Sequence, residues 1–326
     1  MFKLLVAALA GDKNFTASAR CAQLLATART AEVAVVWDND AERGKKFADE
    51  MNLPFNANLD AVLGDESIDS VVICTATCDH PEIMMKVTAA KKNIFTEKVL
   101  TIDPKDAEKV AEAVKASGKV FTISYPHRTF PTLRAVKALM DSGKLGRVTY
   151  ARVRNVHNGS SANWLPPHFY DKAQCGGGAM IDLGSHPMYT LYWLLGEPKS
   201  ITSTFTQVTN RGVEDNAVSV IEFADGKIGV SETGFVSECN PYTLEVSGTD
   251  GAVMVHGDSV QWGGKATEGK WVDLELPEKE PLPIDQWIDA VVNGKPSPFT
   301  IDEAVMLTRL MDGAYKAFET GAKATF

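Results

Sequence analysis

The first third of the chain repeats one pattern: a short unbroken apolar run, then a stretch with helical spacing. The runs are Leu4–Ala8, Val33–Trp37, Val71–Cys74, Asn93–Thr96 and Val120–Ile123. A run without polar alternation is a strand buried on both faces, so these five predict a parallel sheet covered by helices on each side. Between 104 and 117 the spacing predicts a helix. Asp103 is its N-cap, Pro104 suits the first turn and Asp106 complements the positive end of the dipole. Ala107, Val110, Ala111 and Val114 form one apolar stripe, and Gly118 ends it. Ala41–Met51 reads as a second helix.

From about residue 146 the pattern becomes apolar–polar alternation. Val148–Val153, Thr202–Val208, Ala217–Phe223, Ile228–Thr233 and Tyr242–Ser247 read as strands of an antiparallel sheet with one wetter face. Asp225-Gly226 marks a tight hairpin between two of them. Gly- and Pro-rich punctuation over 263–298 precedes a last helix at 302–319. The predicted fold class is α/β. Residues 1–125 form a Rossmann-type doubly wound parallel sheet, and 126–326 form an α/β domain with a mostly antiparallel sheet, the last helix able to return to the first domain.

Composition narrows the function classes. The 326 residues carry 33 Lys and Arg against 42 Asp and Glu, a net charge of −9. With no basic track, nucleic acid is set aside as a partner. Five cysteines, an odd number widely spread, read as reduced thiols of a cytoplasmic protein. Cys74 and Cys78 lack zinc-site spacing, and no metal is expected. The apolar residues 4–10 resemble a short leader, but a buried first strand explains them better. No segment reaches the roughly 20 apolar residues that span a bilayer, so no membrane partner is expected.

Ligands of a doubly wound sheet bind beyond the carboxyl ends of its strands. After the first strand, a dinucleotide loop is reduced to one glycine in Ala10-Gly11-Asp12-Lys13-Asn14-Phe15-Thr16. Gly11, Asp12, Asn14 and Phe15 are the cofactor candidates there, with backbone N–H groups for a pyrophosphate. The alternative is an ordinary strand–helix turn. Asp38 after the second strand suits both ribose hydroxyls and repels a 2′-phosphate, favouring NAD over NADP. A helix N-cap explains Asp38 equally well, and nearby Arg43 weighs toward NADP. Thr75, Ala76 and His80 follow the third strand, where His80 is either a cofactor neighbour or a structural hydrogen-bonder. Glu97 and Lys98 follow the fourth, placing a lysine to hydrogen-bond a substrate hydroxyl.

The densest constellation is Gly176-Gly177-Gly178-Ala179-Met180-Ile181-Asp182-Leu183-Gly184-Ser185-His186. The glycine run allows close backbone approach and is expected to open a helix. Asp182 and His186, four apart, are expected to share one helical face and to bind a hydroxyl and move a proton. The same spacing suits a metal, without an obvious third ligand. Tyr125, His127 and Arg128 follow the fifth strand, with Arg128 a cofactor candidate and Tyr125 and His127 substrate candidates. His157, Trp164, His168 and Tyr170 are candidates for a substrate wall, where an aromatic can stack on a sugar, although domain packing explains each singly.

Taken together, these elements resemble the Gfo/Idh/MocA oxidoreductases, the family of glucose–fructose oxidoreductase and inositol dehydrogenase. Glu97-Lys98 is similar to that family's E-K-P element, with Val99 in place of Pro. Gly176 to His186 is similar to its G-G-G-x-x-x-D-x-G-x-H element, and Thr75 to His80 keeps the Thr and His of its T-P-N-x-x-H turn. Gly143–Gly146, Leu194–Pro198, Val213–Asp215 and Gly248–Gly251 extend the resemblance along the chain. The resemblance implies a C-terminal domain with a large open sheet that forms homodimers or homotetramers, and sugar, inositol or polyol substrates. It also implies Lys98 polarising the reacting hydroxyl, His186 as acid/base and Asp182 as orienting group. The degenerate glycine loop motivates two alternatives: a non-catalytic sugar or dinucleotide sensor, and an enzyme that uses bound NAD for transient oxidation during glycoside cleavage.

Overall fold

The computed structural model describes residues 2–8, 31–239 and 242–326, of which 2–8 are described by backbone alone. The loop candidates Gly11, Asp12, Asn14 and Phe15 lie outside the described residues. The chain divides into two compact units: residues 1–124 with 281–308, and residues 125–280 with 309–326.

The first unit holds five parallel strands: β1 (Phe2–Ala8), β2 (Ala31–Trp37), β3 (Ser70–Cys74), β4 (Asn93–Thr96) and β5 (Phe121–Ile123), in the order β2-β1-β3-β4-β5. A single parallel bridge, Val36 to Phe55, extends the sheet one position past β2. Counting that bridge, the order is the 3-2-1-4-5-6 of dinucleotide-binding sheets, whose ligand crevice opens where the order reverses, between β1 and β3. β3 and β4 are buried at every position, as their unbroken apolar pattern requires. The helix Pro104–Ser117 forms as predicted: the Asp103 side chain accepts from the Lys105 N–H, and Gly118 closes it at φ 65°.

Sequence reading missed the helix Pro283–Asn293, hidden inside the Gly/Pro-rich stretch. Its Ile284, Trp287 and Ile288 join Val33, Val36, Phe47, Val72 and Phe95 in one core. Phe95 and Trp287 meet with ring centroids 5.6 Å apart. Each such fully buried large side chain stabilises by about 1.5–3 kcal/mol.

The second unit is built on a nine-stranded sheet. Its strands are β6 (Val148–Val156), β7 (Pro198–Thr206), β8 (Asn216–Phe223), β9 (Ile228–Gly234), β10 (Thr243–Gly248), β11 (Gly251–His256), β12 (Ser259–Gly264), β13 (Val272–Asp273) and β14 (Ala324–Thr325). Their order is β13-β12-β11-β10-β6-β9-β8-β7-β14, antiparallel except for β6 beside β9. β8 alternates strictly, with Ala217, Ser219, Ile221 and Phe223 buried and Val218 and Val220 exposed. Asp225 and Gly226 turn the β8–β9 hairpin with positive φ at both positions, as predicted. β7 stops at Thr206 rather than Val208, because the Asp215 carboxylate takes the N–H groups of Val208 and Thr209, each at 2.7 Å. The helix Ser185–Leu195 lies on β6 and β9. Gly229 makes this possible: a Cβ there would meet Phe223 at 2.6 Å and Leu191 and Leu195 at 3.3 Å.

Candidate active site

In the first unit the strand ends carry the expected residues. Asp38 ends β2 and is buried. The N-cap of the helix Ala41–Met51 is Asp40, whose side chain accepts from the N–H groups of Glu42 and Arg43. The cap alternative for Asp38 therefore falls. Arg43 instead reaches back to the Asp38 carboxylate through Nε at 3.0 Å and through Nη2. Gly44 lets the helix close on Asp38, since a Cβ would sit 2.5 Å from the Asp38 Cβ. The Asp38 carboxylate, through this hydrogen bond first and its charge after, raises the Arg43 pKa. The chain of contacts runs on from Arg43 Nη2 to Asn39 Oδ1 (2.7 Å) and from Asn39 Nδ2 to Asp79 Oδ2 (2.9 Å).

His80 opens the helix His80–Ala89 and is 1% exposed. Its Nδ1 lies 3.0 Å from the Val99 carbonyl and 3.1 Å from that of Leu100, and its Nε2 lies 3.2 Å from the Thr75 carbonyl. Carbonyls only accept, so both ring nitrogens face acceptors and a neutral ring can donate to one side alone. Burial pushes the imidazole below its ordinary pKa, against the pull of the three carbonyls. Of the two readings, the geometry is that of a structural hydrogen-bonder, tying the turn after β3 to the residues that follow Lys98. The Lys98–Val99 peptide is cis. The Glu97 N–H donates to Ile73 at 3.0 Å, fixing the exit of β4 against β3.

The pH dependence of stability follows from His80. A histidine whose folded pKa is depressed stabilises above its unfolded pKa and loses that contribution as pH falls through the folded one. The melting temperature should therefore decline as pH falls below about 6.5. His157, also held low by burial, adds in the same direction. In His80→Asn the decline should be visibly shallower when followed by thermal unfolding, and an unchanged slope would remove His80 from the account.

In the second unit the glycine run departs from expectation. Residues 179–184 form successive turns, and the helix begins only at Ser185. Asp182 and His186 therefore do not share one helical face. The reason is Glu214, 7% exposed. Its Oε1 accepts from the N–H groups of Gly178 (2.9 Å) and Met180 (3.0 Å) and from the Tyr315 hydroxyl (2.6 Å). The Glu214 carbonyl takes the Ala179 N–H at 2.8 Å. Three consecutive N–H groups are drawn sideways onto one residue. Burial raises the Glu214 pKa, against the opposing effect of these donors. The glycines are required by closeness: a Cβ on Gly177 would lie 1.9 Å from the Tyr315 hydroxyl, and one on Gly178 would lie 2.1 Å from the Glu214 carbonyl oxygen.

His186 sits in the first turn of the helix. Its ring stacks on His127 with centroids 4.2 Å apart and 17° between planes, and its Nδ1 is 2.8 Å from the Tyr189 hydroxyl. Tyr125 stacks on Tyr189 at 4.2 Å. The structure thus gathers Tyr125, His127 and His186 around Tyr189, which the sequence reading did not single out. The signal was available in the i, i+3 spacing from His186 to Tyr189. A second group forms around His157, which stacks on Phe235 at 5.0 Å, packs against Trp164 at 4.7 Å and feels the charge of Asp182. Trp164 is 48% exposed and donates to Asn158. Tyr170 faces Ser160 and lies under the Arg211 guanidinium, while His168 packs on Phe169. Arg128 lies over the Trp193 ring at 5.0 Å.

Comparison with known proteins follows this layout. Residues 7–125 match the family model described as oxidoreductase family, NAD-binding Rossmann fold, and residues 133–254 match the GFO/IDH/MocA C-terminal domain. The chain belongs to the GFO/IDH/MocA oxidoreductases. Among relatives in this family, it is 29% identical over 204 residues to scyllo-inositol 2-dehydrogenase (NAD(+)) of Bacillus subtilis (strain 168), covering 60% of this chain and 57% of that one. It is 26% identical over 231 residues to 1,5-anhydro-D-fructose reductase of Ensifer adhaerens, 68% of each chain. The matched stretch thus spans between 57% and 68% of these two relatives. A solved structure of GenD2 from gentamicin A biosynthesis in complex with NAD superposes with a TM-score of 0.83 at 28% identity, covering 100% of this chain and 96% of that one. The NAD-binding character of the family fits the first unit, whose parallel sheet has the strand order of a dinucleotide-binding fold.

Proposed function

We propose that the chain is a NAD-dependent dehydrogenase or reductase acting on a secondary or anomeric carbon of a sugar, inositol or related polyol. The observation that carries this reading is His186, held at Nδ1 by Tyr189 and on its face by His127, at the end of a glycine turn clamped by Glu214. Such a built imidazole, in a chain of this oxidoreductase family, suits proton transfer to or from a substrate oxygen. Lys98 hydrogen-bonds and polarises that oxygen, and Asp182 orients the substrate. Tyr125, His127, His157, Trp164 and Tyr170 supply the substrate wall. Asp38 holds the adenosine ribose, with Thr75, Ala76, Glu97 and Arg128 along the rest of the cofactor. When bound, the nicotinamide supplies or takes up the hydride. The sugar or polyol class is supported by the names of the relatives, an inositol dehydrogenase and an anhydrofructose reductase.

Cofactor choice tests the reading of the first unit. In Asp38→Ser, the ribose loses its carboxylate partner and Arg43 loses its anion. NAD affinity should fall roughly 10- to 100-fold, as expected for hydrogen bonds to a charged group. NADP affinity should rise, because the released guanidinium can pair a 2′-phosphate. Titration of both dinucleotides by protein fluorescence measures this, and unchanged NAD binding would exclude Asp38 from the site.

We also place the protein in the cytoplasm as a homodimer or homotetramer. Among the described residues, no helix is long and apolar enough to cross a membrane. The exposed face of the nine-stranded sheet carries Val218, Val220, Ile228 and Met254, interspersed with the Arg152–Glu232 ion pair. A mixed apolar and charged sheet face of this kind suits a self-complementary interface. Val220→Glu should lower the mass seen by light scattering to that of a smaller species, whereas an unchanged oligomer would place the interface elsewhere.

A further inference from the structure

The proton arrangement around His186 can be worked out from its neighbours. Tyr189 is 2% exposed, and its hydroxyl has two hydrogen-bond partners among the described residues: the His127 backbone N–H at 3.2 Å and His186 Nδ1 at 2.8 Å. The amide can only donate, so it occupies a lone pair of the phenol oxygen. Among the described residues the phenol proton then has one acceptor, His186 Nδ1. If Nδ1 carried the proton instead, the hydroxyl would accept twice and its own hydrogen would be left buried without an acceptor. A buried donor left unsatisfied costs about 1–3 kcal/mol.

We propose that Tyr189 is the positioning residue of this site: it donates its hydroxyl proton to His186 Nδ1, so that the neutral imidazole carries its own proton on Nε2. The second partner explains why the hydroxyl stays in place. The His127 amide fixes the oxygen from one side, and the stacked Tyr125 ring, 1% exposed, holds the phenol plane. His127 stacks on the imidazole face, with Phe130 at 4.8 Å and the edge of Tyr242 at 5.1 Å packed on His127 in turn. The imidazole is therefore fixed at one edge and on one face. Burial keeps Tyr189 well above the ordinary tyrosine pKa, so its proton is present throughout the working range.

This assignment has a chemical consequence that rests on His186 being the acid/base. In its neutral form His186 offers an N–H to a ligand oxygen, the arrangement that polarises a carbonyl or steadies an alkoxide. Accepting a proton from an alcohol at Nε2 requires the other tautomer, which strands the Tyr189 hydrogen. At rest the imidazole is therefore a hydrogen-bond donor toward oxygen, and its acid/base work at Nε2 takes the tautomer change that Tyr189 opposes.

Nitrogen-15 NMR of the full-length protein, labelled at histidine, tests the tautomer without any substrate. The chain has six histidines, and His186→Gln identifies the signal of interest. At alkaline pH, where imidazoles are neutral, His186 should show a pyridine-type Nδ1 and a pyrrole-type Nε2. In Tyr189→Phe, which keeps the stack on Tyr125, the Nδ1 shift should move toward that of an imidazole nitrogen accepting no hydrogen bond, and kcat should fall about tenfold with KM little changed. A pyrrole-type Nδ1 in the unsubstituted protein, or an Nδ1 shift unmoved in Tyr189→Phe, overturns the assignment. Loss of activity in His186→Gln bears only on the acid/base role and is read separately.

Discussion

Gly178→Ala is expected to abolish most of the activity while leaving a folded protein. The added methyl would lie 2.1 Å from the Glu214 carbonyl oxygen and 2.7 Å from Val213 Cγ2, and the first of these is backbone that cannot swing aside. The turn must shift, carrying Asp182 and His186 with it. Overpacking of this kind costs about 1–3 kcal/mol of stability. A displacement of about 1 Å in a reacting group costs on the order of 100-fold in rate, so kcat/KM should drop by about that factor. Glu214 gives the matching chemical test. Glu214→Ala leaves two backbone N–H groups and the Tyr315 hydroxyl without their acceptor. At about 1–3 kcal/mol for each buried donor, the loss should exceed that of any single hydrogen bond. Glu214→Gln keeps an acceptor oxygen and should recover most of both stability and rate. Thermal unfolding and steady-state kinetics on the three variants check this, and a fully active Gly178→Ala would show that the clamp does not govern the site.

Lys98→Met and His186→Ala are expected to be the most damaging changes to rate. General acid–base groups contribute roughly 100- to 10,000-fold. Each variant should lose that much in kcat, and their combination should lose less than the product of the two, since the proposed roles converge on one oxygen. NAD affinity should survive in His186→Ala. Methionine keeps the apolar stem of Lys98 in place, so its effect reports the ammonium group and not the packing.

Much of the first unit was legible because its chemistry is local. Unbroken apolar runs gave every strand, and Asp103 and Gly118 bounded their helix within a residue. The helix Pro283–Asn293 was not legible, since the prolines around it look like loop until Trp287 is seen in the core built by β2, β3 and β4. β11 and β12 escaped because they are six-residue strands, too short for their alternation to stand out before their pairing in the sheet is seen. In the candidate site, residue types were readable and conformation was not. Asp182-x-x-x-His186 has helical spacing, and nothing near it in sequence announces that Glu214, more than 25 residues downstream, will pull the preceding N–H groups out of a helix. Asp38 was ambiguous in sequence between ribose ligand and helix cap, and the cap on Asp40 removes the second of these readings. His80 shows the reverse case, where a histidine just beyond a strand end spends its ring on backbone carbonyls.

The central claim is hydride transfer assisted by Lys98 and His186, and isotope transfer tests it most directly. The full-length protein is incubated with NADH carrying deuterium at the transferable position and a panel of keto-inositols and aldonolactones. Mass spectrometry of the products then reads the label. The account predicts deuterium on one carbon of at least one product with the unsubstituted protein, and a loss of at least about 100-fold in labelling rate in Lys98→Met and in His186→Ala. Labelling at an undiminished rate in both variants would contradict it.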